Sequence, residues 1–137
     1  MAVLHSCDVT LRFFGDTLDP DEITRSLRVE PTIGVKKGDV WLTSGGVEKI
    51  ARTGSWRLSM PRYEPGELDQ QVTDLFRRLN DDLNIWTDLS KRFDGNIFVG
   101  LFLGEENEGA DFRPETLAAV GLRGLRLGLD IYAPTRD

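Results

Sequence analysis

Asp16-Thr17-Leu18-Asp19-Pro20-Asp21-Glu22-Ile23 opens a stretch, running to Asp39, that starts a helix, stops it and leads into a basic, glycine-bearing loop. Asp19 is placed as an N-cap, where its carboxylate accepts from backbone N–H groups that the first turn leaves unpaired. Pro20 suits the first helical position, because its missing N–H would have been one of those orphans. Glu22, three residues on, is positioned to reach back as in a capping box, and Leu18 and Ile23 stand where a hydrophobic staple packs. Asp21 and Glu22 favour the positive end of the helix dipole. Ile23 and Leu27, four apart, form the buried stripe. Pro31 pushes the residue before it out of helical geometry, so the helix ends by about Val29.

The pattern extends on both sides. Residues 6–14 alternate, with Cys7, Val9, Leu11 and Phe13 pointing one way and Asp8, Thr10, Arg12 and Phe14 the other, as a half-buried strand does. Residues 30–53 read as a loop with a short strand at Asp39–Thr43 and a turn at Ser44-Gly45-Gly46. Ser55–Met60 is a second strand, with Trp56, Leu58 and Met60 on one face and Ser55, Arg57 and Ser59 on the other. Next, Leu68, Val72, Leu75, Leu79, Leu83 and Trp86 step by three or four. That spacing predicts one long amphipathic helix from about Pro65 to about Arg92, bent near Asn84. In residues 97–103, Ile97, Val99, Leu101 and Leu103 share one face; Phe98, Gly100 and Phe102 share the other. Pro114 starts a short helix that carries Leu117, runs through Val120 and is terminated by Gly121. The last strand, 124–132, turns Leu125, Leu127, Leu129 and Ile131 to the core and Arg126, Gly128, Asp130 and Tyr132 away. Residues 133–137 form a short tail.

One face of every strand is apolar and the other mixed, which predicts a single α+β domain over 1–137. Its sheet is mainly antiparallel (mixed), with helices packed on one face. If Asp39–Thr43 pairs with Ser55–Met60, the first part reads βαββαβ, a ferredoxin-like core with an added C-terminal helix and strand. A doubly wound parallel sheet would need apolar residues on both strand faces. The 137 residues, 39% of them apolar, suffice for one core, burying about two thirds of the unfolded surface. The net charge of −6 opposes nucleic acid and anionic membranes. No run approaches the ~18 apolar residues of a spanning helix. Residues 1–7 have no basic region and no long apolar segment, so no signal peptide is expected. One cysteine excludes an internal disulfide framework. A cytoplasmic location is the expectation.

Leu18-Asp19-Pro20 with Ile23 and Leu27, then Pro31-Thr32, Lys37-Gly38-Asp39, Gly54-Ser55-Trp56 before a strand, and Asp130-Ile131-Tyr132 occur in an order and spacing that span nearly the whole chain. Together they resemble the uncharacterised bacterial family called domain of unknown function 4279. The resemblance implies an α+β domain of this length and implies no activity.

Two surfaces stand out as candidate sites. In the 30s loop, Thr32, Lys36, Lys37 and a free N–H of Gly38 suit a phosphate or carboxylate, with Trp41 beside them. It is not a Walker loop, because three residues rather than four separate Gly34 and Gly38 and no Gly-Lys-Ser/Thr follows. The plainer reading is a solvated turn with glycine at positive φ. The second surface is the outer sheet face, where Arg12, Arg57, Phe98, Phe102, Arg126 and Tyr132 fall together with Asp8, Phe14 and Asp130. Aromatics and arginines there suit stacking and pairing, and RRM domains hold RNA on such a face. The plainer reading is a dimer interface, or a face covered by the 40s loop and the extra strand.

Other chemistry is thinly supplied. The acidic run Glu105-Glu106-Asn107-Glu108, with Asp111, lacks EF-hand spacing and reads as a solvated loop. The single histidine, His5, and single cysteine, Cys7, argue against a structural zinc site and read as a surface histidine and a buried thiol. No catalytic residue, metal or cofactor is expected. The leading expectation is a non-enzymatic module that binds another protein, as an immunity or regulatory partner. A sensor or enzyme for a small anion held by the 30s loop is the alternative, RNA binding on the sheet a further one, and a homodimer through the outer sheet face is also compatible with the sequence.

Overall fold

Strand β2, Ser6–Gly15, is the central strand of the sheet. Its inward residues Cys7, Val9, Leu11 and Phe13 are fully buried, as the alternation predicts. The computed structural model describes residues 2–135; Arg136 and Asp137 of the expected tail, and Met1, lie outside them. A two-residue strand β1, Ala2–Val3, precedes β2. Helix α1, Pro20–Leu27, follows it. Asp19 caps α1 by accepting from the Asp21 N–H at 3.0 Å, and Leu18 and Ile23 are both buried. Glu22 does not close a capping box. Its carboxylate takes both terminal nitrogens of Arg92 at 3.1 and 3.0 Å, a bidentate pair that ties α1 to a later helix.

The 30s and 40s resolve into three short strands: β3, Ile33–Val35; β4, Val40–Leu42; and β5, Glu48–Ile50. Strand β6, Gly54–Ser59, comes next. The expected partner of Ser55–Met60 is corrected here. β4 pairs with β5 as a separate hairpin, and β3 pairs antiparallel with β6. Gly34 allows this, because a Cβ on it would sit 2.9 Å from Pro20 Cβ.

The expected long helix is two helices, α2, Leu68–Arg77, and α3, Leu83–Arg92. Asn80-Asp81-Asp82 divides them with capping chemistry. Asp82 accepts from the Asn84 N–H at 2.9 Å and Asn80 from the Asp82 N–H at 3.1 Å. Asn80 also donates its backbone N–H to Leu27 O at 3.1 Å and its side chain to Ser26 O at 3.0 Å. The break keeps Leu79 and Trp86 buried but turns Leu83 outward.

Strand β7, Asp94–Phe102, then β8, Glu108–Gly109, α4, Pro114–Leu122, and β9, Arg126–Tyr132, complete the chain. Helix α4 runs one residue past the predicted terminator. Gly124, at φ 73°, makes the turn instead; a Cβ there would meet Ser90 Cβ at 2.9 Å. Leu117 faces solvent, while Thr116 and Val120 are buried.

The five-stranded sheet has the order β3-β6-β2-β7-β9. The pairs β3–β6, β6–β2 and β2–β7 are antiparallel and β7–β9 is parallel, which α4 makes possible as the crossover. β1 and β8 form a small parallel pair of their own. The fold is thus α+β, with a mixed, mostly antiparallel sheet. The core lies between its inner face and the helices, around Phe13, Trp56, Phe76 and Trp86. Phe13 lies 6.3 Å from each tryptophan ring, and Phe76 meets Trp86 edge-on at 5.9 Å, both within the favoured aromatic range. Trp56 Nε1 donates to Thr24 Oγ1 at 3.1 Å. No described helix is long and apolar enough to cross a membrane.

A polar tie edges this core. Tyr63 donates its hydroxyl to Asp74 at 2.5 Å, and Gln70 donates to the other oxygen at 2.8 Å. These bonds, that of Tyr63 foremost, hold the Asp74 carboxyl below its ordinary 3.8. The same bond, aided by burial and the Asp74 charge, raises the Tyr63 hydroxyl above its ordinary 10.0. Asp74 therefore contributes stability present above its unfolded pKa and lost as pH falls through the lowered folded value. Tyr63 contributes stability present below its unfolded pKa and lost as pH rises through the raised folded value. Tyr63→Phe should cost most near neutrality and progressively less on both flanks. Urea midpoints of both proteins, taken from about pH 3 to about pH 11, check this; a pH-independent difference would refute it.

Candidate ligand cleft on the outer face of the sheet

Strand pairing brings the predicted outer-face residues onto one surface. Arg12 on β2 stands directly opposite Arg57 on β6, and Phe98 on β7 pairs with Thr10 and Gly128. The Arg12 guanidinium lies 4.2 Å from the Phe98 ring centre and 5.4 Å from that of Phe14, and its Nε donates to Asn96 Oδ1 at 3.0 Å. Burial first, then the charges of Arg57 and Arg126, lower the Arg12 pKa, against a smaller opposing effect of Asp94.

Arg57 is less well served. Its guanidinium lies 5.4 Å from the Phe14 ring, and Nε is buried without a hydrogen-bond partner among the described residues. Among the described residues no carboxylate pairs with it. It forms the floor of a cleft of about 900 Å³ between the outer sheet face and the β4–β5 hairpin. Phe14, Ile33 and Val35 line the sheet side, and Trp41 closes the cleft from β4. Lys49 and Arg52 add positive charge at the wall against one carboxylate, Glu48. In a chain of net charge −6, this is a local reversal of sign. The arrangement can pair an anion with a guanidinium while covering an apolar body.

The other predicted residues fall elsewhere. Thr32 Oγ1 accepts from the Ser59 N–H at 3.0 Å, and Lys37 reaches Asp16 at 3.3 Å. Lys36 is exposed, with its backbone N–H on Asp39 at 3.3 Å. The expected free N–H of Gly38 is corrected: it donates to Ala51 O at 2.8 Å and closes the hairpin base. Gly38 has φ 91°, the glycine turn that the plainer reading described. Thr32, Lys36, Lys37 and Gly38 therefore do not line the cleft. At the far end of the face, Phe102 and Tyr132 stack at 4.7 Å. Arg62 covers Phe102 at 4.1 Å and grips Asp8 with bonds of 3.0 and 2.9 Å. Arg126 lies at the sheet edge, held by Asp94 at 2.7 Å.

Ile33, Val35, Lys49 and Arg52 were absent from the sequence-based site. The basic run Lys49-Ile50-Ala51-Arg52 after a Gly-Gly turn is the signal that marks them. Cys7 is remote from the cleft, fully buried, and bonded through Sγ to Gln71 Oε1 at 2.9 Å. Burial foremost, then Asp8 and Glu67, pushes its thiol up to about 11, which keeps it un-ionised near neutrality. Among the described residues no three His, Cys, Asp or Glu side chains group to hold a metal ion.

Fold and cleft together define an α+β domain with its helices on one sheet face and a cationic, aromatic-lined cleft on the other. The chain belongs to the family described as Domain of unknown function (DUF4279), whose model matches residues 5–134. No curated protein matches the chain, and no solved structure matches it.

Proposed function

We propose that this domain is a binding module for an organic anion, a carboxylate or phosphate ester with an apolar or aromatic body. The observation that carries the reading is the unpaired Arg57 guanidinium, with its buried orphan Nε, at the floor of the hairpin-covered cleft. A charge-assisted bond from a guanidinium fork to a carboxylate or phosphate is worth about 1.5–3 kcal/mol. Phe14, Ile33, Val35 and Trp41 supply the surface for the rest of the ligand.

A thermal-shift screen of aromatic carboxylates, acyl phosphates and nucleotides tests it. Some member of the panel should raise the Tm in a saturable way by mass action, and Arg57→Gln should remove that rise. A flat wild-type response at millimolar ligand, or a rise that survives Arg57→Gln, refutes the assignment.

A second reading, capture of a protein partner in a regulatory or immunity role, draws support from Val40, Leu42 and Ile50. They leave apolar surface exposed on the hairpin, and exposed apolar patches mark contact sites.

A further inference from the structure

β9 is one outer edge of the five-stranded sheet, and among the described residues no strand pairs with its free side. It is seven residues long and carries no proline, lysine or bulge; natural edges use such devices to block pairing with another chain. The Tyr132 carbonyl points inward and accepts from the Leu103 N–H at 3.1 Å. Alternation along the strand then turns the N–H and C=O groups of Leu127, Leu129 and Ile131 to the open side. Two leucine-type side chains expected in the core are not there: Leu129 is 52% exposed and Ile131 61%. Helix α4 buries only the first part of β9 and itself leaves Leu117 and Leu122 50% and 59% exposed. Among the described residues, backbone donors, acceptors and apolar side chains are thus unpartnered along one continuous edge.

We propose that β9 pairs antiparallel with β9 of a second copy of this chain, about a two-fold axis through Gly128. The strand's own sequence selects that register. With Gly128 opposite Gly128 of the other copy, Arg126 stands opposite its Asp130, and Asp130 opposite its Arg126. Leu127 stands opposite Leu129, and Leu125 opposite Ile131. The outward-pointing groups of Leu127 and Leu129 then form the hydrogen-bonded pairs, and Gly128 and the charged residues the closer, non-hydrogen-bonded ones. Centring on Leu127 or Leu129 sets neither charge against its opposite, and centring on Asp130 sets like charges face to face. Opposite charges directly across an antiparallel pair attract and like charges repel. Arg126 meets Asp94 of its own chain through one terminal nitrogen, leaving the rest of its fork for the second copy's Asp130. The result is an isologous dimer with a continuous ten-stranded sheet, the closed symmetry commonest among homo-oligomers.

Sedimentation velocity across a concentration series tests this, with circular dichroism to verify folding. The wild type should show a monomer–dimer equilibrium. Leu129→Lys, at a position already exposed, should leave the fold intact and raise the dimer Kd by about tenfold or more. Asp130→Arg sets Arg126 against a like charge and should weaken the dimer similarly; the double variant Arg126→Asp/Asp130→Arg should restore it. A wild type monomeric throughout the series overturns the proposal. So does a dimer indifferent to Leu129→Lys, or a charge-reversed double variant no tighter than Asp130→Arg alone.

Discussion

Trp86→Ala should lower the unfolding free energy by about 3–5 kcal/mol, the range for removing a large buried aromatic. Trp86 is fully buried and touches the core from three directions, with Phe13 at 6.3 Å, Phe76 at 5.9 Å and the Arg123 guanidinium 5.2 Å from its ring. Its Nε1 also donates to the Asn80 carbonyl at 2.6 Å, so the side chain anchors the break between α2 and α3. Alanine removes the packing and that bond together. Trp86→Phe keeps most of the volume and loses chiefly the hydrogen bond, so its cost should lie nearer 1–2 kcal/mol. Urea unfolding of the three proteins separates the two contributions. Against a total stability of about 5–15 kcal/mol, the alanine protein should be the most sensitive to mild denaturant. A loss below about 1 kcal/mol for Trp86→Ala would mean that the core does not close on this residue.

Arg57→Met should have the opposite sign. Arg57 faces Arg12 across the strand pair, a like-charge juxtaposition that destabilises a sheet, and its Nε is a buried donor without an acceptor. Methionine keeps an unbranched apolar side chain over Phe14 and removes both penalties. What it forfeits is the cation–π contact with Phe14, itself a long one at 5.4 Å. The balance should be a gain of about 1 kcal/mol, read as a Tm several degrees higher. An anion found by the thermal screen should bind the variant roughly a hundredfold more weakly, since charged hydrogen bonds are worth about 1.5–3 kcal/mol. Higher stability with lost binding is the signature of a residue kept for its ligand. A variant that loses stability would show that Arg57 holds the sheet together instead.

Four strands of the sheet, β2, β6, β7 and β9, and helix α1 are legible in the sequence because each rests on one local rule. Alternation at Cys7–Phe13 and Ile97–Leu103 can be satisfied only by strands with one buried face, and Asp19-Pro20 caps a helix wherever it is placed. The helix break was obscured by its own apolar residues: Leu79, Leu83 and Trp86 continue the stripe across Asn80-Asp81-Asp82, while the caps that divide it are polar and locally inconspicuous. β3 escaped because three residues with glycine at their centre carry almost no periodic signal; its position depends on the Pro20 contact made by the fold. The exposed end of β9 escaped for a similar reason, since alternation reports which face a residue occupies and not whether a helix covers that face. The placement of Arg12, Arg57 and Phe98 on the outer sheet face was legible from strand parity. The cleft wall was not, because it needs the pairing of Val40–Leu42 with Glu48–Ile50, a contact across the Gly-Gly turn. The 30s loop misled because a backbone N–H that looks available in sequence, that of Gly38, is committed to Ala51 in the fold.

Among the described residues the β4–β5 hairpin pairs with itself alone and adds no strand to the five-stranded sheet. Its base is closed by reciprocal bonds of 2.8 Å, Gly38 N–H to Ala51 O and Ala51 N–H to Asp39 O. Closing a longer loop at the same base costs only about 0.6 kcal/mol per doubling of length. Lengthening or recharging residues 40–50 should therefore leave the register of the sheet below unchanged, which amide exchange of the sheet strands checks. On the anion-binding reading proposed above, the part of the cleft that would differ between ligands is this single hairpin, while Arg57 stays fixed on the sheet.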